Sequence, residues 1–480
     1  MGSPALAAYS LQITHLNKYW IHRAFLDVNY PNSKHIPNAL VALHHIPVRI
    51  EYSPPFLHSL IVLPNNDEFW SHLASANKSR RWAIPLIVTY ILVIFSVLLT
   101  VIDSIISHPA DTWFGITSTW SFLLPLIIGW LRTGCEPEPS HLRNTLAAAN
   151  QTAWVATEER GHPTMMRSPM AIQFAEADDV DLARKDELKP VPVFNYSRAF
   201  VTPMNAEVVL KLIKNAAANA QQRIPVRGSA SGHFLGQVWV EGRSGEILAQ
   251  NRVGTAAEID EYCTREIQGH RWEPGQRPET GDFYPPLELH LVTPSSLWAP
   301  GIWRRVVIAS VLALGLQWGT AGAAMFIHYT SPPVGLGCRS LSSLLYGAMG
   351  TVSFSLFLAS SVFAHLSRPL PGRVHTQLRS RTCWVVGAVI CRCLGKCVAI
   401  ASAIGVLLIC FFDVAGVFNS GFCKSATFDM GRRSIIFTGI PLMPDHRPVA
   451  TWIGGLVMAF VTSTLFGFSM YVGLPPHRYE

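Results

Sequence analysis

Six stretches of this chain are each about 20 residues long, strongly apolar and almost free of charge, the length a helix needs to cross a hydrocarbon layer about 30 Å thick. They run from about Trp82 to Ser104, Trp113 to Leu131, Val306 to Tyr329, Leu341 to Leu366, somewhere within Cys383–Val417, and Val449 to Gly473. Helices on the surface of a soluble domain keep a polar face for water, and these do not. Composition points the same way: 49% of the 480 residues are hydrophobic and 14% charged, against about 25% charged in a soluble protein. Trp82, Trp113, Trp130, Trp303, Tyr329, Trp384 and Trp452 stand at the ends of the stretches, where amphipathic rings favour the headgroup layer.

The expected fold is mainly α: a polytopic transmembrane bundle of about six spans with a small α+β cytosolic insertion between the second and third. The expected divisions are an N-terminal cytosolic region (1–81), a transmembrane hairpin (82–131), a cytosolic loop domain (132–302), a transmembrane bundle (303–473) and a short tail (474–480). Basic flanks set the orientation. Lys78, Arg80 and Arg81 precede the first span, Arg132 follows the second, and Arg304 and Arg305 open the third. Arg368, Arg373, Arg379 and Arg381 fill the turn after the fourth, whereas the turn inside the first hairpin has no Lys or Arg. Positive-inside bias then puts both termini and the long loop in the cytosol. Lys424, Arg432, Arg433 and Arg447, after the fifth span, run against that assignment.

Sequons at Asn77, Asn150 and Asn195 fall on segments assigned to the cytosol, where they stay bare. No cleavable signal peptide or myristoylation pattern opens the sequence, and plasma membrane and endomembrane both stay open as locations. The net charge of +7 gathers beside the spans rather than in a groove, so nucleic acid is not an expected partner. The lipid bilayer is, together with protein partners met through the cytosolic loop.

Outside the spans, residues 1–81 are too apolar for a disordered tail. Leu40–Tyr52 and Leu60–Leu63 read as containing short strand-like runs, and Asp67–Ala76 as a helix with Phe69, Trp70 and Leu73 on one side. In the loop, Ser140 is placed to cap a helix bearing Leu142, Leu146, Ala149 and Ala153. Asn205 is placed to cap a second, bearing Val209, Leu212, Ile213, Ala216 and Ala220. Leu235–Glu241 alternates like a strand, and Thr255 with Glu258 forms a capping box. Met165–Pro190 is poor in apolar residues, carries Glu176, Asp178, Asp179 and Asp181, and reads as a flexible connector. Within it Lys185-Asp186-Glu187-Leu188 spells an ER-retention signal that has no meaning in mid-chain.

The fifth stretch holds the residues most open to a functional reading. Gly387, Cys391, Gly395, Ala399 and Ala403 form a ridge of small side chains, and Gly315, Gly319 and Ala323 form another in the third. Two such ridges facing each other would let the helices approach closely. Arg392 and Lys396 lie one turn apart. A span starting near Cys383 buries both, as a candidate contact for an anion or lipid phosphate; a span starting near Cys397 leaves them as cytosolic flank. Cys391, Cys393 and Cys397 do not suit a metal, since positions 391 and 393 point about 200° apart on a helix; juxtamembrane S-acylation suits them better. Cys338 and Cys423 both fall in loops assigned to the outside, where an oxidising compartment favours a disulfide. Protease, nucleotide-binding and nucleophile-elbow motifs are missing, and the eighteen histidines scatter, read as surface or interfacial groups. Asp103 and Asp413 lie singly near span ends. No catalytic residue, metal or cofactor is expected.

Leu316-Gln317-Trp318-Gly319-Thr320-Ala321-Gly322-Ala323-Ala324 and Pro332-Pro333-Val334-Gly335-Leu336-Gly337-Cys338-Arg339-Ser340 resemble blocks of a family of uncharacterised multi-spanning membrane proteins of filamentous fungi. Arg392-Cys393-Leu394-Gly395-Lys396 and Phe411–Cys423 fit the same family, so the resemblance covers about Trp303–Cys423. That family has no established activity, and the resemblance implies architecture alone. The leading expectation is a non-enzymatic scaffold or partner-recruiting membrane protein. The alternative is a transporter or channel with an anion path lined by Arg392 and Lys396. Oligomeric state is not legible.

Overall fold

The computed structural model describes residues 4–51, 55–75, 88, 91, 94–95, 98, 121–134, 139–159, 162–167, 170–176, 181–189, 192–227, 239–242, 246–264, 297–330, 335–368, 378–415, 417–419, 423 and 447–472. The fold is mainly helical. It opens with α1 (Pro4–Phe25) and α2 (His35–Leu43), then strand β1 (Val48–Ile50), α3 (Phe56–Val62) and α4 (Asp67–Ser75). Next come α5 (Leu123–Gly134), α6 (Pro139–Gln151) and the short strands β2 (Trp154–Val155), β3 (Thr164–Met165) and β4 (Ile172–Phe174). A 3₁₀ segment, Leu182–Leu188, leads to α7 (Asn195–Arg198), α8 (Val201–Gln221) and α9 (Ala256–Thr264). The chain ends in α10 (Ile302–Thr330), α11 (Cys338–Leu366), α12 (Leu378–Val414) and α13 (Arg447–Ser469).

These last four are long and apolar enough to cross a membrane, in α12 over Arg381–Phe412 and in α13 over Ala450–Ser469. The first apolar stretch falls largely outside the described residues, although Val88, Ile91, Phe95 and Leu98 are helical and exposed; the second is described from residue 121 on, where it enters α5. Asp103, Asn77, Gly275–Pro286 and most of Leu235–Glu241 also lie outside them.

The N-terminal region and the long loop build one core together. Phe69, Trp70 and Leu73 of α4 are buried with Leu142 and Leu146 of α6, Leu212 and Ile213 of α8, and Ile259 of α9. β1 pairs antiparallel with β4, Val48 opposite Phe174, so each segment supplies half of that sheet. Arg252 of the loop grips Asp67 with two bonds of 2.7 and 2.9 Å and reaches the carbonyl of Val62 at 2.8 Å. Burial would weaken the Arg252 cation, but its bonds to Asp67 and that carboxylate's charge outweigh burial and hold its proton more firmly than usual.

Some local readings shift. Leu60–Ile61 belong to α3 rather than to a strand, since a short apolar run has no period that separates the two states. α8 begins at Val201, not after Asn205, which is buried inside it. Pro203 sits in the first turn, where its missing N–H breaks no helical bond. α6 begins at Pro139, so Ser140 lies within its first turn. The capping box forms as spaced: Thr255 N donates to Glu258 Oε2 at 2.8 Å and Glu258 N to Thr255 Oγ1 at 3.3 Å.

α1 has a part in the bundle. Its first residues, Pro-Ala-Leu-Ala-Ala-Tyr, are apolar, and Ala5, Leu6, Ala8 and Tyr9 are buried against α10 and α11 residues. Ala5 N donates to Gln317 Oε1 at 3.2 Å, halfway along α10, and Tyr9 meets Phe354 edge-on at 5.5 Å. A boundary near residue 81 therefore does not follow the packing.

The small-residue ridges do not face each other. A Cβ on Gly319 would lie 2.1 Å from Thr462 Oγ1, so α13 lies directly on the α10 ridge, and one on Gly455 of α13 would lie 2.7 Å from Ile327. The α12 ridge lies on α11 instead: Gly387 faces Phe363, Gly395 faces Leu356 and Phe357, and Gly315 of α10 faces open space. Ser360 Oγ donates to Ala388 O at 2.8 Å and Ser353 Oγ to Gly395 O at 3.1 Å, which pins that antiparallel pair. The reason for the choice is polar. Gln317 Nε2 donates to Gly347 O at 2.6 Å and Trp318 Nε1 to Thr351 Oγ1 at 3.0 Å, which commits that side of α10 to α11. Cys338, the first residue of α11, is joined to Cys423 by a disulfide with their Cα atoms 5.5 Å apart.

Candidate functional site

Side chains on a helix lean toward its N-terminus, so Arg392 and Lys396 reach back along α12 toward its start. There they meet the 3₁₀ segment Leu182–Leu188, the strap. Arg392 donates to Ala183 O at 2.9 Å and to Leu182 O at 2.6 Å. Lys396 Nζ donates to Asp186 Oδ1 at 2.7 Å, and the Tyr196 hydroxyl takes the other carboxylate oxygen. At the strap's ends, Arg381 pairs with Asp181 at 3.0 Å and Arg368 with Glu187 at 2.6 Å. Cations of α12 and Arg368, just past the end of α11, thus hold both acids of the strap and Asp181 before it.

The segment that reads as a flexible connector is an anchored one. Among its described acids, Asp181, Asp186 and Glu187 each have a cation of α12 or of the residues just after α11 within 3.0 Å. Arg198 of α7 braces it from behind, donating to the carbonyls of Glu187 and Lys189 and to those of His44 and His45. Ser361 Oγ of α11 donates to Tyr196 O at 2.9 Å, and the Tyr196 ring stacks at a tilt on Phe357, 5.2 Å away. Strap, α7 and the two helices enclose a small cleft lined by Arg184, Asp186, Tyr196, Ser360, Ser361 and Arg392.

Burial raises the Tyr196 hydroxyl's pKa well above its ordinary value, and the adjacent Asp186 carboxylate adds to that, so it stays a proton donor to Asp186. Burial pushes the Arg184 cation's pKa down, and Arg368 crowds it further, while Glu187 and Asp181 partly compensate. An ionised group away from water survives when paired and hydrogen-bonded, and the strap meets both conditions.

Arg392 is 6% exposed, while Ile390 and Leu394 beside it are 52% and 50% exposed on the apolar outer face. It is not a solvated flank, although it lines the small cleft. It is a buried cation whose donors are spent on two backbone carbonyls.

The remaining candidates fall elsewhere. Cys383, Cys393 and Cys397 are exposed and Cys391 half-buried; no three His, Cys, Asp or Glu among the described residues could hold a metal. Several histidines are interior rather than interfacial: His15, His44, His45, His58, His328 and His365 are all buried. His328 meets Ser343 at 3.1 Å, His365 meets Leu297 O at 2.7 Å, and His58 meets Asp260 at 2.8 Å. Two sequons are interior as well. Asn195 donates to Thr14 Oγ1 at 3.0 Å and Asn150 to Ile172 O at 3.1 Å, both buried.

Sequence reasoning found Arg392 and Lys396 but not Asp186, Glu187, Tyr196 or Arg198. The signal was present as charge complementarity: acids on a polar segment, and basic residues at the ends of two apolar helices. Comparison with protein-family models, curated proteins and solved structures found no match.

Proposed function

We propose that the chain is a non-enzymatic multi-pass membrane protein of about six spans that holds a cytosolic domain in fixed geometry on its bundle, so that the domain can organise protein partners. The strap carries this reading. A polar segment whose carboxylates and carbonyls are each held by a helix-borne cation cannot swing freely, and the core joining residues 20–75 to 139–264 moves with it. A rigid platform suits a scaffold.

The cytosolic side is supported by the sequons. A glycan is bulky and needs a surface asparagine, and neither Asn150 nor Asn195 offers one in this fold. Glycosidase treatment of protein from a secretory-competent host is expected to leave mobility unchanged; a shift removed by Asn195→Gln would place the domain on the other side.

An anion path would need Arg392 and Lys396 along an open route through the bundle, whereas Arg392 is buried with bonds to two strap carbonyls and Lys396 is held at the strap by Asp186. The purified protein in liposomes is expected to pass chloride and phosphate no faster than empty liposomes. Flux abolished by Arg392→Ala with Lys396→Ala would favour the transporter reading and sink the scaffold.

A further inference from the structure

We propose that Lys189 and Lys396 form a binding site for the phosphate of an anionic phospholipid headgroup. The site rests on the membrane reading above and adds a ligand to it.

Both ammonium groups approach one oxygen: Asp186 Oδ1 is 2.7 Å from Lys396 Nζ and 4.0 Å from Lys189 Nζ. The two cations are therefore no further apart than those distances laid end to end. They share half a carboxylate, since the other oxygen of Asp186 takes the Tyr196 hydroxyl. The counter-charge lies inside and the cations open outward. The Asp186 side chain is 4% exposed, against 38% for Lys396 and 48% for Lys189.

Among the described residues, the wider cluster holds more basic than acidic groups. Arg184, Arg368, Arg381, Arg392, Lys189 and Lys396 gather around three acids, Asp181, Asp186 and Glu187. Such an excess beside a low-dielectric surface attracts an anion more strongly than it would in water. A phosphate oxygen set between the two ammonium groups gains a charge-assisted hydrogen bond from each.

The surroundings select a lipid over a free ion. Ile400, one turn after Lys396 on the same side of α12, is 61% exposed, and Leu182 of the strap is 52% exposed. An acyl chain lies along such a surface at no cost while its headgroup meets the lysines; inorganic phosphate gains nothing from it.

The test uses the full-length protein in nanodiscs of phosphatidylcholine with a minor fraction of phosphatidylinositol 4-phosphate, read by native mass spectrometry of retained lipid. The wild type should retain the anionic lipid in preference to phosphatidylcholine. Lys189→Gln with Lys396→Gln should weaken that retention about thirtyfold, and the pair Lys189→Arg, Lys396→Arg should restore most of it. Lys189→Gln alone, at a half-exposed side chain, should weaken it about fivefold. Equal retention in wild type and Lys189→Gln, or no preference in the wild type, overturns the proposal. So does competition by inorganic phosphate as effective as that by added anionic lipid. Nanodiscs present both leaflets, so this result stands apart from the orientation, which glycosidase mapping decides.

Discussion

A buried basic group is tolerated where its partners cost less than its return to water, and this chain holds two kinds. Arg252 and Arg392 donate to carbonyls and, for Arg252, to a carboxylate. His44 does the opposite. It is 2% exposed, and neither ring nitrogen has a hydrogen-bond partner among the described residues. Burial, with His45 and Arg198 close by, drives its pKa well below the ordinary value, so it stays neutral in the fold. The unfolded chain takes up a proton there below about pH 6.5, and the folded chain does not. Stability contributed by His44 is therefore full above that pH and falls as pH drops through it, by about 1.4 kcal/mol for each unit below. Denaturation midpoints of wild type and His44→Leu, followed from pH 7.5 to 5, should diverge in slope below about pH 6.5. Parallel curves would mean that the ring already carries or shares a proton in the fold.

At the level of elements, the same glycine pattern has two outcomes, and only contact tells them apart. Gly319 sits under Thr462, where a methyl group has no room, whereas Gly315, one turn earlier, faces open space. Gly319→Ala should cost about 1–3 kcal/mol through forced separation of α10 and α13, and Gly315→Ala should cost nothing measurable. Thermal unfolding in one detergent compares them directly; equal losses at both positions would refute the packing. The ridge spacing was legible in the sequence, but its partner was not, because spacing places residues on a face and says nothing of which helix meets that face. The capping box at Thr255 and Glu258 was legible for the opposite reason, being local and complete within four residues. α1 was missed because its apolar start is too short to signal a span, and its buried Ser10, Gln12, Thr14 and Asn17 look like surface residues.

Over the whole molecule, the apolar helices were plain from hydropathy and the strap was not. Asp181–Lys189 is polar, short and acidic, which in isolation means solvent. It is ordered only because Arg368, Arg381, Arg392 and Lys396, about 180 to 210 residues later, converge on it. The two registers weighed for the fifth stretch both took those cations to face lipid, water or ion, and the fold supplies a fourth neighbour, the chain itself. The soluble core and the helical bundle are thereby coupled through a few side chains. The most direct test is amide hydrogen exchange over 182–188 in the full-length protein in nanodiscs, comparing wild type with Arg392→Ala, Lys396→Ala. Slow exchange in the wild type and exchange at least about tenfold faster in the variant, a loss of about 1.4 kcal/mol or more of local stability, is the predicted result. Equal rates in the two proteins, whether fast or slow, would contradict the claim that these cations hold the strap.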